Sequence, residues 1–231
     1  AYQPLLRKEE GRLDRVLNPE LDLESIQKQF LEGPLPAVAI DNVLTVEALG
    51  AMQRFCRNNT FWYNLKPGYL GAYLQDGFYC DLLFQLAEEM RAALPAILGQ
   101  HHWRNMWGYS HDREHGGINI HADTAAVNVN YWLSPNDANL LPDAGGLIVW
   151  DKSPPAHWNF QKLNTDEEAI VGFLKESGAQ PVHFPFRENR ALIFRSDLFH
   201  RTDEVSFAPG YQNRRLNVTM LYGEREEIDI A

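Results

Sequence analysis

The sequence predicts a mainly β fold, α+β overall, in which helices from the first hundred residues brace one sheet of an antiparallel double-sheet jelly roll. After residue 100, strand-like segments outnumber helical ones and follow one another at short spacing, with turn residues between them. The regular alternation of strands and helices that is typical of a parallel sheet is missing. Together these observations favour two packed antiparallel sheets over a doubly wound parallel sheet.

The first hundred residues supply the predicted helices. Residues 1–34 are expected to form a lead-in with a short amphipathic helix over residues 22–30. Residues 35–231 are expected to form a single domain. Its first strand is predicted over residues 36–41, and Thr45 is a suitable N-cap for the helix that follows.

Composition and spacing predict a loop, a long helix and an insertion in the rest of the chain. Residues 58–77 are rich in Gly and aromatic residues, which favours a long loop packed over the core rather than a wall of a substrate pocket. The longest helix is predicted to start at Asp81 and to end or kink at Pro95. Residues 150–181 are expected to be an insertion between core strands, with a capping box that starts at Thr165 and begins a docked helix.

Composition and charge narrow the function classes. The 231 residues are 45% hydrophobic, which is ample for a core, and the net charge of −10 argues against binding nucleic acid or an anionic membrane over a broad surface. Cys56 and Cys80 have no metal-type spacing, so reduced thiols in a cytoplasmic protein are expected. No apolar run reaches 18 residues and no signal peptide is visible. Because the chain begins with Ala, it is expected to be processed or to be part of a longer polypeptide.

The chemistry is concentrated around a His-x-Asp pair. In an extended chain His121 and Asp123 point to the same side, as adjacent metal ligands must. With 8 His and 31 Asp and Glu residues, chance alone gives about one such pair, so the pair carries weight only through its context. Predicted strands follow over residues 126–133, 190–195 and 215–222, and His200 stands just past the second of them. Two His and one carboxylate make a facial triad for non-haem Fe(II), with open positions for other ligands.

These residues and their surroundings resemble the Fe(II)- and 2-oxoglutarate-dependent oxygenases, in particular the prolyl-hydroxylase-like branch. The matching pieces occur in the order of that family and are residues 117–123, 130–135, 145–150, 189–200 and 215–222. The resemblance implies a double-stranded β-helix of the jelly-roll, cupin-like kind, with a metal-binding core over about residues 100–222. It also implies Fe(II) held by His121, Asp123 and His200, with 2-oxoglutarate as cosubstrate and O2 as oxidant.

The resemblance further implies which side chains hold the cosubstrate. Alternation along the last strand places Arg215, Asn217 and Thr219 on one face and Arg214 on the other, and periodicity alone leaves both faces possible. The family pattern matches Arg215 to the arginine that binds the distal carboxylate, with Thr219 as a nearby hydroxyl. Tyr109 matches a tyrosine that helps to bind 2-oxoglutarate, with a core tyrosine as the alternative.

Other polar residues near the pair keep two interpretations. Asn128 and Asn130 lie within an apolar strand on the same face as Trp132, and they fit either a cosubstrate contact or a structural hydrogen-bond network. Trp132 departs from the family, where a smaller or phenolic group is usual. His111 and His115 are alternative ligands, although histidines in such a polar turn are more often solvated. Zn(II) in the same triad would instead predict hydrolysis or isomerisation.

Two functions follow. The first is a dioxygenase that hydroxylates a C–H bond of an amino-acid side chain, a peptide or a small metabolite while 2-oxoglutarate is decarboxylated to succinate. The second is a non-catalytic domain of the same fold that senses 2-oxoglutarate or another ligand. The complete triad and the candidate arginine favour the enzyme. The expected partner is a small-molecule or peptide substrate, with no nucleic acid and no membrane, and the sequence does not indicate an oligomeric state.

Overall fold

The computed structural model describes residues 10–112, 114–115, 118–155 and 157–224. Within them the chain forms antiparallel strands and six α-helices. The strands are β1 (Ala37–Ile40), β2 (Asn64–Lys66), β3 (Tyr69–Tyr73), β4 (Trp103–His111), β5 (Glu114–His115), β6 (Val127–Trp132), β7 (Leu147–Trp150), β8 (Pro181–Phe184), β9 (Arg190–Arg195), β10 (His200–Thr202), β11 (Val205–Ser206) and β12 (Arg215–Tyr222). The helices are α1 (Leu23–Glu32), α2 (Val46–Asn58), α3 (Asp81–Ala93), α4 (Pro95–Leu98), α5 (Phe160–Thr165) and α6 (Glu167–Glu176).

The strands form one large sheet and two small ones. Seven strands pair in the order β1-β9-β6-β12-β4-β3-β2, three in the order β10-β7-β8, and β11 pairs with β5. Every strand pair is antiparallel. This confirms the predicted sheet-rich α+β class, and it excludes the parallel alternative for the described residues. No helix among these residues is both long enough and apolar enough to span a membrane.

Helices pack against one face of the large sheet. Thr45 accepts a hydrogen bond from the Ala48 amide and so caps α2, as the sequence predicts. Alternate residues of the central strands then meet the buried side of the helices, because side chains in a strand alternate between faces. The largest apolar cluster accordingly combines Met52 and Phe55 of α2 with Val129 of β6 and Val218 of β12. The predicted bracing by N-terminal helices is confirmed.

The opposite face of the large sheet turns toward the three-stranded sheet. Trp132 and Phe194 from the large sheet pack with Leu147 and Val149 of β7 in a second apolar cluster. Two sheets therefore face each other across this cluster. Other residues on this face of the large sheet carry polar side chains. They lie beside the second apolar cluster and form the site described below.

The aromatic segment over residues 58–77 corrects the sequence prediction of a long loop. Residues Asn64–Lys66 and Tyr69–Tyr73 form a hairpin, and β3 pairs with β4, which extends the large sheet by two strands. Gly68, with φ of 80°, makes the turn between them after Pro67. The prediction overweighted the glycines, because one of them marks a turn and Gly71 lies within a strand. The hairpin brings Tyr73 to the functional face.

The insertion over residues 150–181 packs on the segments that carry the candidate ligands. It contains two helices, and the side chain of Asp166 caps α6 by accepting from the Ala169 amide, so the predicted cap at Thr165 is wrong by one residue. The Thr165 hydroxyl instead donates to the Gln161 carbonyl. Ile170 of α6 belongs to an apolar cluster with other buried residues of the insertion and of the ligand-bearing segments, namely Ile120, Ala122, Leu163, Leu174 and Phe199.

Gly146, the residue before β7, lies against the backbone at the end of β8. A Cβ atom at this position would lie 1.9 Å from the Phe184 carbonyl oxygen, which belongs to the backbone and has little freedom to move. We expect Gly146→Ala to destabilise the protein by about 3 kcal/mol, at the upper end for overpacking. Gly172→Ala on α6 is the matched control, because nothing lies within 4 Å of its position, and it should be neutral or stabilising by up to about 1 kcal/mol. Equal effects in urea unfolding would contradict this account of Gly146.

Candidate metal centre

Three predicted ligands meet at one point. His121, Asp123 and His200 each offer one ligand atom, and these atoms all lie within 4.8 Å of one another, a group able to hold a metal ion. The backbone brings them together: the His121 amide donates to the His200 carbonyl at 3.0 Å, and the His200 amide donates to the His121 carbonyl at 2.8 Å. The Asp123 amide donates to the Ser196 carbonyl at 3.0 Å. The His-x-Asp pair thus lies in an irregular segment fixed by a single bridge, not in a long strand.

Both imidazoles present the same nitrogen to the centre. His121 Nδ1 lies 2.8 Å from the Asn119 carbonyl oxygen, and His200 Nδ1 lies 2.9 Å from the Leu198 carbonyl oxygen. A carbonyl oxygen only accepts, so each Nδ1 carries a proton, and Nε2 is the nitrogen that each ring has left to bind a metal. Such an outer hydrogen bond orients a metal-binding histidine and fixes its tautomer.

Burial sets the protonation of the triad. His200 is 4% exposed, and this burial, followed by the charge of His121, holds the pKa of His200 well below its usual value. Burial raises the pKa of Asp123, while the charge of His121 and the hydrogen bond from Asn128 oppose the shift. His200 is therefore neutral and ready to bind a metal, and a nearby cation would stabilise the ionised form of Asp123. The site favours a divalent ion for both reasons.

A chain of buried hydrogen bonds runs from Asp123 along the floor of the site. Its members are polar side chains of β6 and β12, each linked to the next. The links are Asn128 Nδ2 to Asp123 Oδ2 at 2.6 Å, Asn130 Nδ2 to Asn128 Oδ1 at 2.9 Å, Thr219 Oγ1 to Asn130 Oδ1 at 2.8 Å, Asn217 Nδ2 to Thr219 Oγ1 at 3.2 Å and Arg215 Nη1 to Asn217 Oδ1 at 3.0 Å. The two asparagines of β6 thus take part in a hydrogen-bond network, one of their two predicted interpretations.

Arg215 ends this chain as a buried cation. It is 1% exposed, and its guanidinium donates to the Gly145 carbonyl, to the Gly146 carbonyl at 3.4 Å and to Asn217. Burial lowers the pKa of Arg215 to about 9, with the charge of Asp203 opposing, so the group remains charged at neutral pH. Among the described residues it donates to no carboxylate. The remaining guanidinium hydrogens are thus available to an anionic ligand.

The two neighbouring arginines have different surroundings. Arg215 lines the cavity beside the triad, while Arg214 lies 3.8 Å from Asp112 and lines a different, smaller cavity. The predicted face of β12 is therefore the observed one. The guanidinium carbon of Arg215 also lies 6.0 Å from the centre of the Trp132 ring, so the tryptophan that departs from the family pattern packs beside the arginine.

One cavity of about 360 Å³ contains the triad and Arg215. Tyr109 lines it, opposite Asn217 in the strand pairing, and its hydroxyl lies 3.4 Å from the Tyr73 hydroxyl. Burial, followed by the hydrogen bond with Tyr73, raises the pKa of Tyr109, so this phenol stays protonated at neutral pH. All the predicted site residues line this single cavity, namely Tyr109, His121, Asp123, Asn128, Asn130, His200, Arg215, Asn217 and Thr219.

The cavity has further walls that the sequence did not identify. Tyr73 comes from the β3 hairpin, Trp107 from β4 and Asn164 from the inserted helix α5. Alternation from Tyr109 would have found Trp107, because the two lie two residues apart on one strand. No local signal marks Asn164, whose amide donates to the Ala122 carbonyl at 3.1 Å. It reaches the cavity only because the insertion packs there.

The structure describes the side chain of only one of the two alternative histidine ligands. His111 is buried, stacks on Tyr69 with ring centres 5.2 Å apart, and does not belong to a group of metal-binding side chains among the described residues. Its proposed solvation is therefore wrong, because β4 extends through it and carries it into the interior. The side chain of His115 lies outside the described part of the structure.

Comparison with known proteins identifies the fold. No protein-family model matches the chain, and no curated protein sequence matches it. The α-ketoglutarate-dependent epimerase SnoN from nogalamycin biosynthesis is 13% identical over 90% of this chain and 87% of its own, with a TM-score of 0.62. HygX from Streptomyces hygroscopicus is 15% identical over 86% and 85%, with a TM-score of 0.55. A prolyl-4-hydroxylase from Pseudomonas putida is 13% identical over 88% and 99%, with a TM-score of 0.52. The chain has the fold of the 2-oxoglutarate-dependent iron oxygenases.

This likeness agrees with the resemblance seen in the sequence, which includes the prolyl-hydroxylase-like branch. The match extends over most of both chains in each comparison. At these identities it concerns the fold. The side chains of this chain must therefore carry the argument for its chemistry.

The raised pKa of Asp123 makes a prediction about the metal-free protein. A carboxyl group whose pKa is higher in the folded state destabilises that state as pH rises through this value. We expect metal-free Asp123→Asn to have a higher Tm than metal-free wild type at pH 7, with the difference vanishing near pH 3, where the carboxyl is protonated in both states. Asp137→Asn, at an exposed position, is the control and should leave Tm unchanged. A lower Tm for Asp123→Asn at pH 7 would show that its burial is not costly.

Proposed function

We propose that this protein is an Fe(II)- and 2-oxoglutarate-dependent dioxygenase that hydroxylates a C–H bond of an amino-acid side chain, a peptide or a small metabolite. Decarboxylation of 2-oxoglutarate to succinate would accompany the reaction. The observation that carries the proposal is a single cavity that joins a His-Asp-His group to a buried arginine without a carboxylate partner among the described residues. These are the two anchors that a metal-chelating dicarboxylic acid requires.

The donor set fits Fe(II). His121, Asp123 and His200 provide two neutral imidazoles and one carboxylate, the facial set that leaves positions open on non-haem iron. Bound iron would supply the redox chemistry with O2 that oxidises an unactivated C–H bond. Asn128 donates to Oδ2 of Asp123, the oxygen that lies 3.6 Å from His200 Nε2. Zn(II) is less suited to the proposal, because it offers no redox cycle.

The distal end of the cavity fits the second carboxylate of 2-oxoglutarate. A carboxylate buried there without a partner would be costly, and the planar guanidinium of Arg215 can bind it with two hydrogen bonds. Tyr109 adds a protonated hydroxyl on the neighbouring strand. On β12, Asn217 and Thr219 follow Arg215 in the hydrogen-bond chain that leads to Asp123 of the metal group. Structures of SnoN and HygX were determined with a metal ion and 2-oxoglutarate, which supports this choice of acid.

The architecture supports the same proposal. We assign the two facing sheets to a double-stranded β-helix, with the metal group where β10 of the small sheet approaches the segment before β6 of the large one. The acidic net charge of −10 favours a small-molecule or peptide substrate over a nucleic acid or an anionic membrane surface, and a cytoplasmic location remains a prediction. A sensing domain without turnover is less favoured, because the ligand set is complete.

The test of the proposal is turnover. Purified protein with Fe(II) and O2 should convert 2-oxoglutarate to succinate slowly even without a prime substrate, and bind one Fe(II) per chain. His121→Ala, Asp123→Ala and His200→Ala should each abolish succinate formation, because each removes a ligand. His183→Ala, on the exposed part of β8, is the matched control and should retain it. Binding of 2-oxoglutarate without any succinate would instead support the sensor.

The two arginines offer a matched pair for the cosubstrate. Arg215→Ala should raise the KM for 2-oxoglutarate by on the order of a hundredfold or more, since losing the partner of a buried charge costs roughly 3–5 kcal/mol. Arg214→Ala should change this KM little, because Arg214 pairs with Asp112 outside the cavity. The measurement is succinate formation as a function of 2-oxoglutarate concentration. Greater sensitivity at Arg214 would refute the cosubstrate assignment on β12.

A further inference from the structure

The buried hydrogen-bond chain has one direction throughout. Each donor, beginning with Arg215, points toward Asp123, and every link from the guanidinium to the carboxylate keeps this sense. We propose that Asn130 and Thr219 are positioning residues that couple the two ends of the cavity, so that an acid bound at Arg215 strengthens metal binding at Asp123. The inference rests on the proposed function, and it assigns to this site a coupling between cosubstrate and metal beyond direct chelation.

The direction follows from the two ends. A guanidinium only donates and a carboxylate only accepts, so every group between Arg215 and Asp123 must accept on one side and donate on the other. This fixes the orientation of the amides of Asn217, Asn130 and Asn128 and the rotation of the Thr219 hydroxyl. Reversing any one of them would place two donors or two acceptors against each other.

Strand geometry holds every link of the hydrogen-bond chain except the last one, from Asn128 to Asp123. Thr219 lies directly opposite Asn130 in the pairing of β12 with β6. The other links between asparagine, threonine and arginine join residues two apart on one strand, whose side chains share a face. The four linking side chains are between 1% and 6% exposed. Water therefore screens them little, and in such surroundings successive hydrogen bonds polarise one another.

The sign of the coupling follows from the charges at the ends. With no anion bound, the positive charge of Arg215 polarises the chain and makes Asn128 a stronger donor toward the Asp123 oxygen, which weakens that carboxylate as a ligand. An anion on Arg215 offsets this charge and relaxes the chain, so Asp123 becomes a better metal ligand. Linkage requires the reverse effect to be equal: metal at Asp123 must strengthen binding of the acid by the same factor.

The experiment interrupts the hydrogen-bond chain at its centre. Thr219→Val keeps the shape of the side chain and removes the hydroxyl that both accepts from Asn217 and donates to Asn130. Thr202→Val is the matched control. Thr202 lines the same cavity and is equally buried at 3% exposure, but it is not a member of the hydrogen-bond chain. Thr219→Ser keeps the hydroxyl and should restore the wild-type result. Co(II) affinity, followed by its visible absorption without O2, is measured with and without saturating 2-oxoglutarate.

The measured quantity is the factor by which 2-oxoglutarate tightens Co(II) binding. In the wild-type protein and in Thr202→Val we expect about tenfold or more, and in Thr219→Val a factor smaller by about threefold or more. A role of Thr219 limited to contacting the acid would weaken 2-oxoglutarate equally with and without metal, leaving the factor unchanged. A purely structural role would lower Tm and also leave it unchanged. Either of these two results would overturn the inference.

The same titrations separate this inference from the proposed function. Wild-type protein that binds neither Co(II) nor 2-oxoglutarate would refute the proposed function and the inference with it. Wild-type protein that binds both, with the same tightening factor in Thr219→Val as in Thr202→Val, would refute the coupling alone and leave the proposed function intact.

Discussion

The site depends on two backbone hydrogen bonds between His121 and His200. They join an irregular segment before β6 to the start of β10, two parts of the chain that are far apart in sequence. Side-chain hydrogen bonds to Asn119 and Leu198 then turn both rings the same way. Because backbone groups make the junction, it does not require particular side chains at the ligand positions. The ligands can therefore be chosen for their chemistry while the pairing holds their spacing.

The central strands combine stability and chemistry through their alternation. On β6, Val127, Val129 and Tyr131 face the helices and belong to the main apolar cluster, while Asn128 and Asn130 face the cavity. Polar side chains survive in this interior because each one hydrogen-bonds to the next, which avoids the cost of unsatisfied buried groups. A rigid scaffold and a polar site floor are thus two faces of the same strands.

The sequence allowed prediction of those parts that follow from local patterns. β9 and β12 were predicted at their observed bounds, because alternation, β-branched residues and flanking turns agree there. The triad and the cavity face of Arg215 needed the ordered motifs as well, since periodicity left both faces of β12 open. The β2–β3 hairpin was missed because its pairing with β4 supplies stability that no local pattern shows. Asn164 reaches the cavity through the packing of an insertion, which is a tertiary effect.

Arg215 is held by main-chain carbonyls rather than by an acidic side chain. The carbonyl oxygens of Gly145 and Gly146 lie just before β7 and accept hydrogen bonds from Arg215. Backbone groups next to the small sheet therefore hold an arginine that belongs to the large sheet. The position of its charge is consequently set by the spacing of the two sheets. If a diacid spans the cavity from the triad to this guanidinium, the fold itself acts as a ruler for the length of that acid. Selectivity between diacids of different chain length would then be a property of the backbone, and it would persist through many changes of the surrounding side chains.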